Sequence, residues 1–161
     1  MIKAIIYNSN TGHTFRYADM LSKKLNVPCY SLKEANKFLN KNDEVIYLSW
    51  ICAGRITKVN KVKNKYNIKG YGVVGAYPAD TEYIKTVEKA NNLNVPLFYL
   101  RGGIDYNKLK GIKRKIVQMV GKVLEKANSD NQELINIFKN GADFVNEKNL
   151  DEIVSYIRKE L

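Results

Sequence analysis

Histidine is nearly absent from this chain, with His13 the only one in 161 residues. That excludes multi-histidine metal centres and argues against a Ser-His-Asp triad. Cysteine is almost as scarce. Cys29 and Cys52 are too few for a disulfide framework, and no histidine cluster joins them to hold a metal. No apolar run reaches the ~18 residues needed to span a bilayer. The opening residues, Met-Ile-Lys-Ala-Ile-Ile-Tyr, resemble the start of a signal peptide. The apolar stretch is too short, however, and it runs into a polar loop with no small-residue cleavage site. It reads as a first strand, and the protein is expected in the cytoplasm. Acid is the remaining deficit: 16 Asp and Glu stand against 27 Lys and Arg, for a formal charge of +11.

What is present suits one globular domain over residues 1–161. Forty-five per cent of the chain is hydrophobic and aromatics are plentiful, enough for a sizeable core. The charge is uneven. Residues 51–75 carry Arg55, Lys58, Lys61, Lys63, Lys65 and Lys69 and no acid, and residues 101–126 carry eight basic residues against Asp105 and Glu125. Such a surface suits an anionic partner, substrate or membrane surface. The alternative is compositional, because the whole chain is crowded with Lys, Asn, Ile and Tyr.

Hydrophobic spacing orders the first 100 residues into alternating strands and helices. Strands are expected at 2–7, 27–31, 44–49, 70–76 and 95–100. Helices are expected at 13–25, with Phe15, Ala18, Leu21 and Leu25 on one face, and at 32–39, 56–66 and 81–92, the last capped by Thr81. This alternation means a parallel sheet covered on both faces. The tail is mainly helical: 109–126, 132–140 and a closing helix at 149–161. In the first of these, Leu109, Ile112, Ile116, Met119 and Val123 form an apolar face, with Lys110, Lys113, Arg114 and Lys122 lying largely away from it. Gly102, Gly103 and Gly141 read as loop punctuation.

The junction after the first strand carries most of the functional signal. Ser9-Asn10-Thr11-Gly12-His13-Thr14 leads from Ile5-Ile6-Tyr7 into a helix. A helix N-terminus offers free N–H groups and a positive dipole end to a phosphate. Three hydroxyls add donors, and Gly12 lets the backbone approach closely. No lysine follows the glycine as in a P-loop, and no GxGxxG is present. The loop therefore fits a terminal monophosphate held without a counter-ion or magnesium.

At its constrained positions (Ile5, Ile6, Tyr7, Ser9, Gly12, Thr14, Ala18 and Leu21) this stretch resembles the flavodoxin signature. The resemblance implies an α/β three-layer sandwich whose five parallel strands run in the order 2-1-3-4-5. It also implies FMN as cofactor. Its phosphate would sit on Ser9, Asn10, Thr11, Gly12, His13 and Thr14. Its ring would lie between the loops after strands three and four. By position, these are Ser49, Trp50, Ile51, Cys52, Ala53 and Gly54, and Gly75, Ala76, Tyr77 and Pro78. Trp50 and Tyr77 are the candidate ring-stacking aromatics.

The tail, with Arg101-Gly102-Gly103-Ile104-Asp105-Tyr106 before its long basic helix, resembles the flavodoxin-domain subgroup that includes flavodoxin-type protoporphyrinogen oxidases. That implies an FMN-dependent oxidoreductase, with an electron carrier as the other redox reading. A flavin-free module using its basic face to bind an acidic partner is the alternative. Redox-partner proteins, small anionic substrates and peripheral membrane contact are the partners considered. Nucleic acid is not expected, because no reader motif accompanies the basic patches. No metal site and no catalytic acid or base stands out.

Overall fold

The structure, a computed structural model, describes residues 1–127 and 130–160. Five parallel strands form its centre: β1 (Ala4–Asn8), β2 (Cys29–Ser31), β3 (Glu44–Cys52), β5 (Asn67–Gly75) and β6 (Leu97–Arg101). They lie side by side in the order β2-β1-β3-β5-β6. A two-residue strand, β4 (Arg55–Ile56), pairs antiparallel with the far end of β3. This is the doubly wound order that the flavodoxin resemblance implies.

The apolar runs are nearly continuous because each central strand is buried on both faces. On one face Ala4, Ile6, Val45, Tyr47, Tyr71 and Val73 pack against Val59 and Val62 of α2 (Val59–Lys63) and Val87 of α3 (Thr81–Asn91). On the other, Ile5, Ile46, Leu48, Val74 and Leu100 meet Tyr17, Ala18 and Leu21 of α1 (His13–Leu25). Ile153, Val154 and Ile157 of α6 (Asp151–Glu160) complete that layer. A third, small cluster of Ile104, Leu109 and Ile137 lies under α4 (Gly111–Lys126) and α5 (Gln132–Asn140).

Several local expectations give way to tertiary contacts. The helix expected at 32–39 is a single tight turn at Ala35–Lys37. The helix expected at 56–66 shortens to α2, because Arg55 and Ile56 pair with Cys52 and Ile51 instead. Asp80, not Thr81, caps α3: its carboxylate accepts the Tyr83 N–H at 2.8 Å. Phe15 is exposed, and Tyr17 takes the buried face of α1. Gly103 lies in a strand, not a loop: β7 (Gly103–Ile104) pairs antiparallel with β8 (Ala142–Asp143). The closing helix begins at Asp151 after a tight turn at Glu147–Leu150, and its expected end at Leu161 lies outside the described residues.

The largest departure is α4. Ile112, Ile116, Met119 and Val123 were expected to pack, yet they are 73, 47, 59 and 59 % exposed. The helix turns its opposite side to α5. There Gly121 comes so close that a Cβ would stand 3.1 Å from the Phe138 carbonyl oxygen. Close backbone approach at Gly121, with Val117 beside it, selects the packed face over the longer apolar stripe. No described helix is long and apolar enough to cross a membrane.

Candidate functional site

The carboxyl ends of β1, β3 and β5 open on the same edge of the sheet. The chain runs from β1 to β2 on one side and then crosses from β2 to β3 on the other side of β1, the switch point where open α/β sheets bind ligands. Asn8 closes β1. Its amide donates to Ser49 Oγ at 3.2 Å and to Thr57 Oγ1 at 2.8 Å. Ser49 is fully buried, and its hydroxyl is spent on Thr57, donating to the carbonyl oxygen at 2.9 Å and meeting the hydroxyl at 2.7 Å. Thr57 also donates to the Trp50 carbonyl at 2.9 Å. This knot fixes the root of the loop to the root of the Trp50 strand. Thr57 had no sequence signal, being separated from Asn8 by 49 residues.

The loop then turns at Gly12, whose φ of 102° lies in the left-handed region that favours glycine. Ser9 Oγ accepts the N–H groups of Gly12 and Phe15 at 3.2 and 3.3 Å, taking the place of a side-chain N-cap. The N–H groups of His13 and Thr14, in the first turn of α1, have no protein acceptor among the described residues. They are the open donors a phosphate would use.

His13 and Thr14 are 8 and 2 % exposed. The His13 Nδ1 lies 3.1 Å from Thr11 Oγ1, and its Nε2 lies 3.9 Å from an Asp143 carboxylate oxygen. Burial pushes the His13 pKa below its ordinary value, against the opposing pull of Asp143. Burial thus disfavours the charged form of the ring. For Asp143, burial works upward, but the Arg16 guanidinium at 2.5 Å, the Val145 N–H and His13 together hold the carboxyl below its usual range.

A cavity of about 480 Å³ opens beside the loop. Thr11, Gly12, His13 and Arg16 form one wall, and Ile104–Lys108 and Asn140–Asp143 form the other. The β7–β8 pair builds that second wall, and Arg16 ties it to α1 through Asp143, 127 residues away. None of the residues 49–54 or 75–78 lines this cavity.

Those two segments frame the neighbouring edge. Residues 49–54 are not a loop. Ser49, Trp50, Ile51 and Cys52 continue β3, and Ala53 and Gly54, with φ of 48° and 74°, make the two-residue turn into β4. Trp50 and Ile51 are half-buried and Cys52 is exposed. Gly75 ends β5 where a Cβ would stand 2.2 Å from the Tyr99 hydroxyl oxygen. Ala76 packs into the small third cluster, and Pro78 is half-buried. The Tyr77 ring leans on Tyr83 at 4.9 Å, and the Tyr99 hydroxyl donates to the Tyr77 carbonyl at 2.8 Å.

Two lysines enter from the tail. Lys108 reaches over Gly12, its Nζ 3.3 Å from where a Cβ on that glycine would stand. Lys113, expected to lie away from the apolar face of its helix, donates to Asn10 Oδ1 at 2.9 Å and sits 5.4 Å from the centre of the Trp50 ring. Sequence reasoning had no local signal for either placement, since 103 residues separate Lys113 from Asn10.

No group of His, Cys, Asp and Glu among the described residues could hold a metal. No curated protein matches the chain. The family model of the flavodoxin domain matches residues 4–132, spanning the whole parallel sheet and all of α4, and the chain belongs to the flavodoxin domain family.

Proposed function

We propose that this protein binds FMN at the ends of β1, β3 and β5 and transfers electrons through it. The observation that carries this reading is the start of α1. There a left-handed Gly12, two N–H groups with no acceptor among the described residues and the hydroxyls of Ser9 and Thr11 converge without any carboxylate in the loop. The donor set suits a phosphate monoester. Thr14 adds a hydroxyl within the same turn.

When bound, the flavin ring supplies the redox chemistry. The chain's own part is positional. The Asn8–Ser49–Thr57 knot sets the distance between the phosphate loop and Trp50. Trp50, half-buried at the neighbouring strand end, is the aromatic surface offered to the ring. Tyr77 stands on the other strand end, held by Tyr83 and Tyr99. Single-electron transfer requires no side-chain acid or base here.

Within this reading, the basic tail supports an enzyme similar to the flavodoxin-type protoporphyrinogen oxidases over a carrier. An anionic substrate or partner would meet the cations of α4. The two cysteines are unpaired, which suits a cytoplasmic, reducing setting.

Titration with FMN, FAD and riboflavin tests the cofactor, followed by the fluorescence of Trp50, the only tryptophan. FMN should quench it most tightly. FAD binding as tightly as FMN would overturn the assignment, and no binding of any flavin would favour a flavin-free module that binds an acidic partner.

A further inference from the structure

We infer that Lys108, on the turn between β7 and α4, supplies the counter-charge for the cofactor's phosphate and so discriminates FMN from riboflavin. This rests on the FMN reading above and names a residue outside the loop that carries it.

The loop brings no cation of its own, and from its sequence it is expected to hold a phosphate without a counter-ion; the tertiary structure instead places the Lys108 ammonium beside it. Residues Ser9–Thr14 contain neither lysine nor arginine, and burial disfavours the charged form of His13. Arg16, the nearest arginine in sequence, is committed to Asp143 at 2.5 Å. Lys108 is less committed. Its one ion pair among the described residues, to the half-buried Asp105 Oδ2, is 3.6 Å long with the lysine itself exposed, a geometry that contributes little. Its ammonium stands over Gly12, where the open N–H groups of α1 emerge.

The turn that carries Lys108 is fixed. The N–H groups of Lys108 and Leu109 both donate to the Asp105 carbonyl, at 3.2 and 3.0 Å. Leu109 is buried in the small cluster with Ile104 and Ile137. The ammonium is thus offered to the loop by a rooted backbone, with only its own side chain free to adjust. A phosphate dianion on the α1 N-terminus would pull it from Asp105. Riboflavin carries the same ring and ribityl chain without the phosphate, and it would leave Lys108 where it is.

The test is the pair of dissociation constants for FMN and riboflavin, measured by flavin fluorescence in wild type and Lys108→Gln. FMN should bind about three- to tenfold more weakly to the variant, and riboflavin within about twofold of wild type. The FMN deficit should shrink as salt rises. Asp105→Asn, which removes the competing carboxylate, should tighten FMN and leave riboflavin alone. An unchanged FMN constant in Lys108→Gln, or an equal loss for both ligands, would overturn the inference while leaving the FMN site intact. If wild type binds neither ligand, the cofactor reading itself falls, and the inference with it.

Discussion

Lys113 Nζ donates to Asn10 Oδ1 at 2.9 Å while facing the Trp50 ring at 5.4 Å, so one side chain of α4 spans the phosphate loop and the end of β3. Through Lys113 the basic helix of the tail adjoins the candidate site.

Removing that cation should be visible in the one tryptophan. An exposed cation–π contact is worth about 0.5–1 kcal/mol. Lys113→Met should shift the emission of Trp50 and loosen the loop, weakening FMN and riboflavin together. The pattern differs from that of Lys108, where only FMN should respond. An unchanged emission spectrum would show that the ammonium does not rest on the ring in solution.

The single histidine gives a clean pH probe. Burial lowers the His13 pKa first of all; Asp143 and Asp105 pull it up, and Arg16 and Lys108 push it down. With the folded value below 6.5, the unfolded chain binds more protons between the two values. Stability should therefore rise with pH through that window and be lost as pH falls through it. NMR titration of the imidazole should give a midpoint below 6.5, and His13→Asn should flatten the stability profile there. A midpoint at or above 6.5 would contradict the burial argument.

Tyr17 should be costly to alter despite its distance from the loop. Its buried hydroxyl donates to the Arg101 carbonyl at 2.6 Å and accepts from Asn149 Nδ2 at 2.6 Å and the Asn146 N–H at 3.3 Å. Tyr17→Phe leaves these groups without their partner, at about 1–3 kcal/mol. Urea unfolding should show a lower midpoint with an unchanged slope. A loss below about 0.5 kcal/mol would mean that water replaces the hydroxyl.

The exposed stripe of α4 should be nearly silent in stability. Replacing Ile116, Met119 and Val123 by Gln should change the unfolding free energy by no more than about 0.5 kcal/mol per site. Leu109→Ala, in the buried cluster beneath, should cost about 2–5 kcal/mol. A large loss from the triple variant would show that the stripe packs after all.

Local patterns in the sequence determined the strands of the sheet and the candidate loop after β1, while the strand order was implied by the resemblance to flavodoxins. Ile5 and Ile6 in succession report a strand buried on both faces, and Ser9 to Thr14 carry the loop's chemistry within six adjacent residues. The span of α1 was legible for the same reason, although its buried face belongs to Tyr17 and not Phe15. What only the tertiary structure decided depends on partners far apart in the chain. Thr57 reaches Asn8, Arg16 reaches Asp143, and Lys108 and Lys113 reach the loop because α4 folds back along α5. The face that α4 buries followed from a close backbone contact at Gly121, while periodicity counted only side-chain size and pointed to the opposite side. Hydrophobic spacing says that a helix has an apolar face; steric fit to a particular neighbour says which face is used.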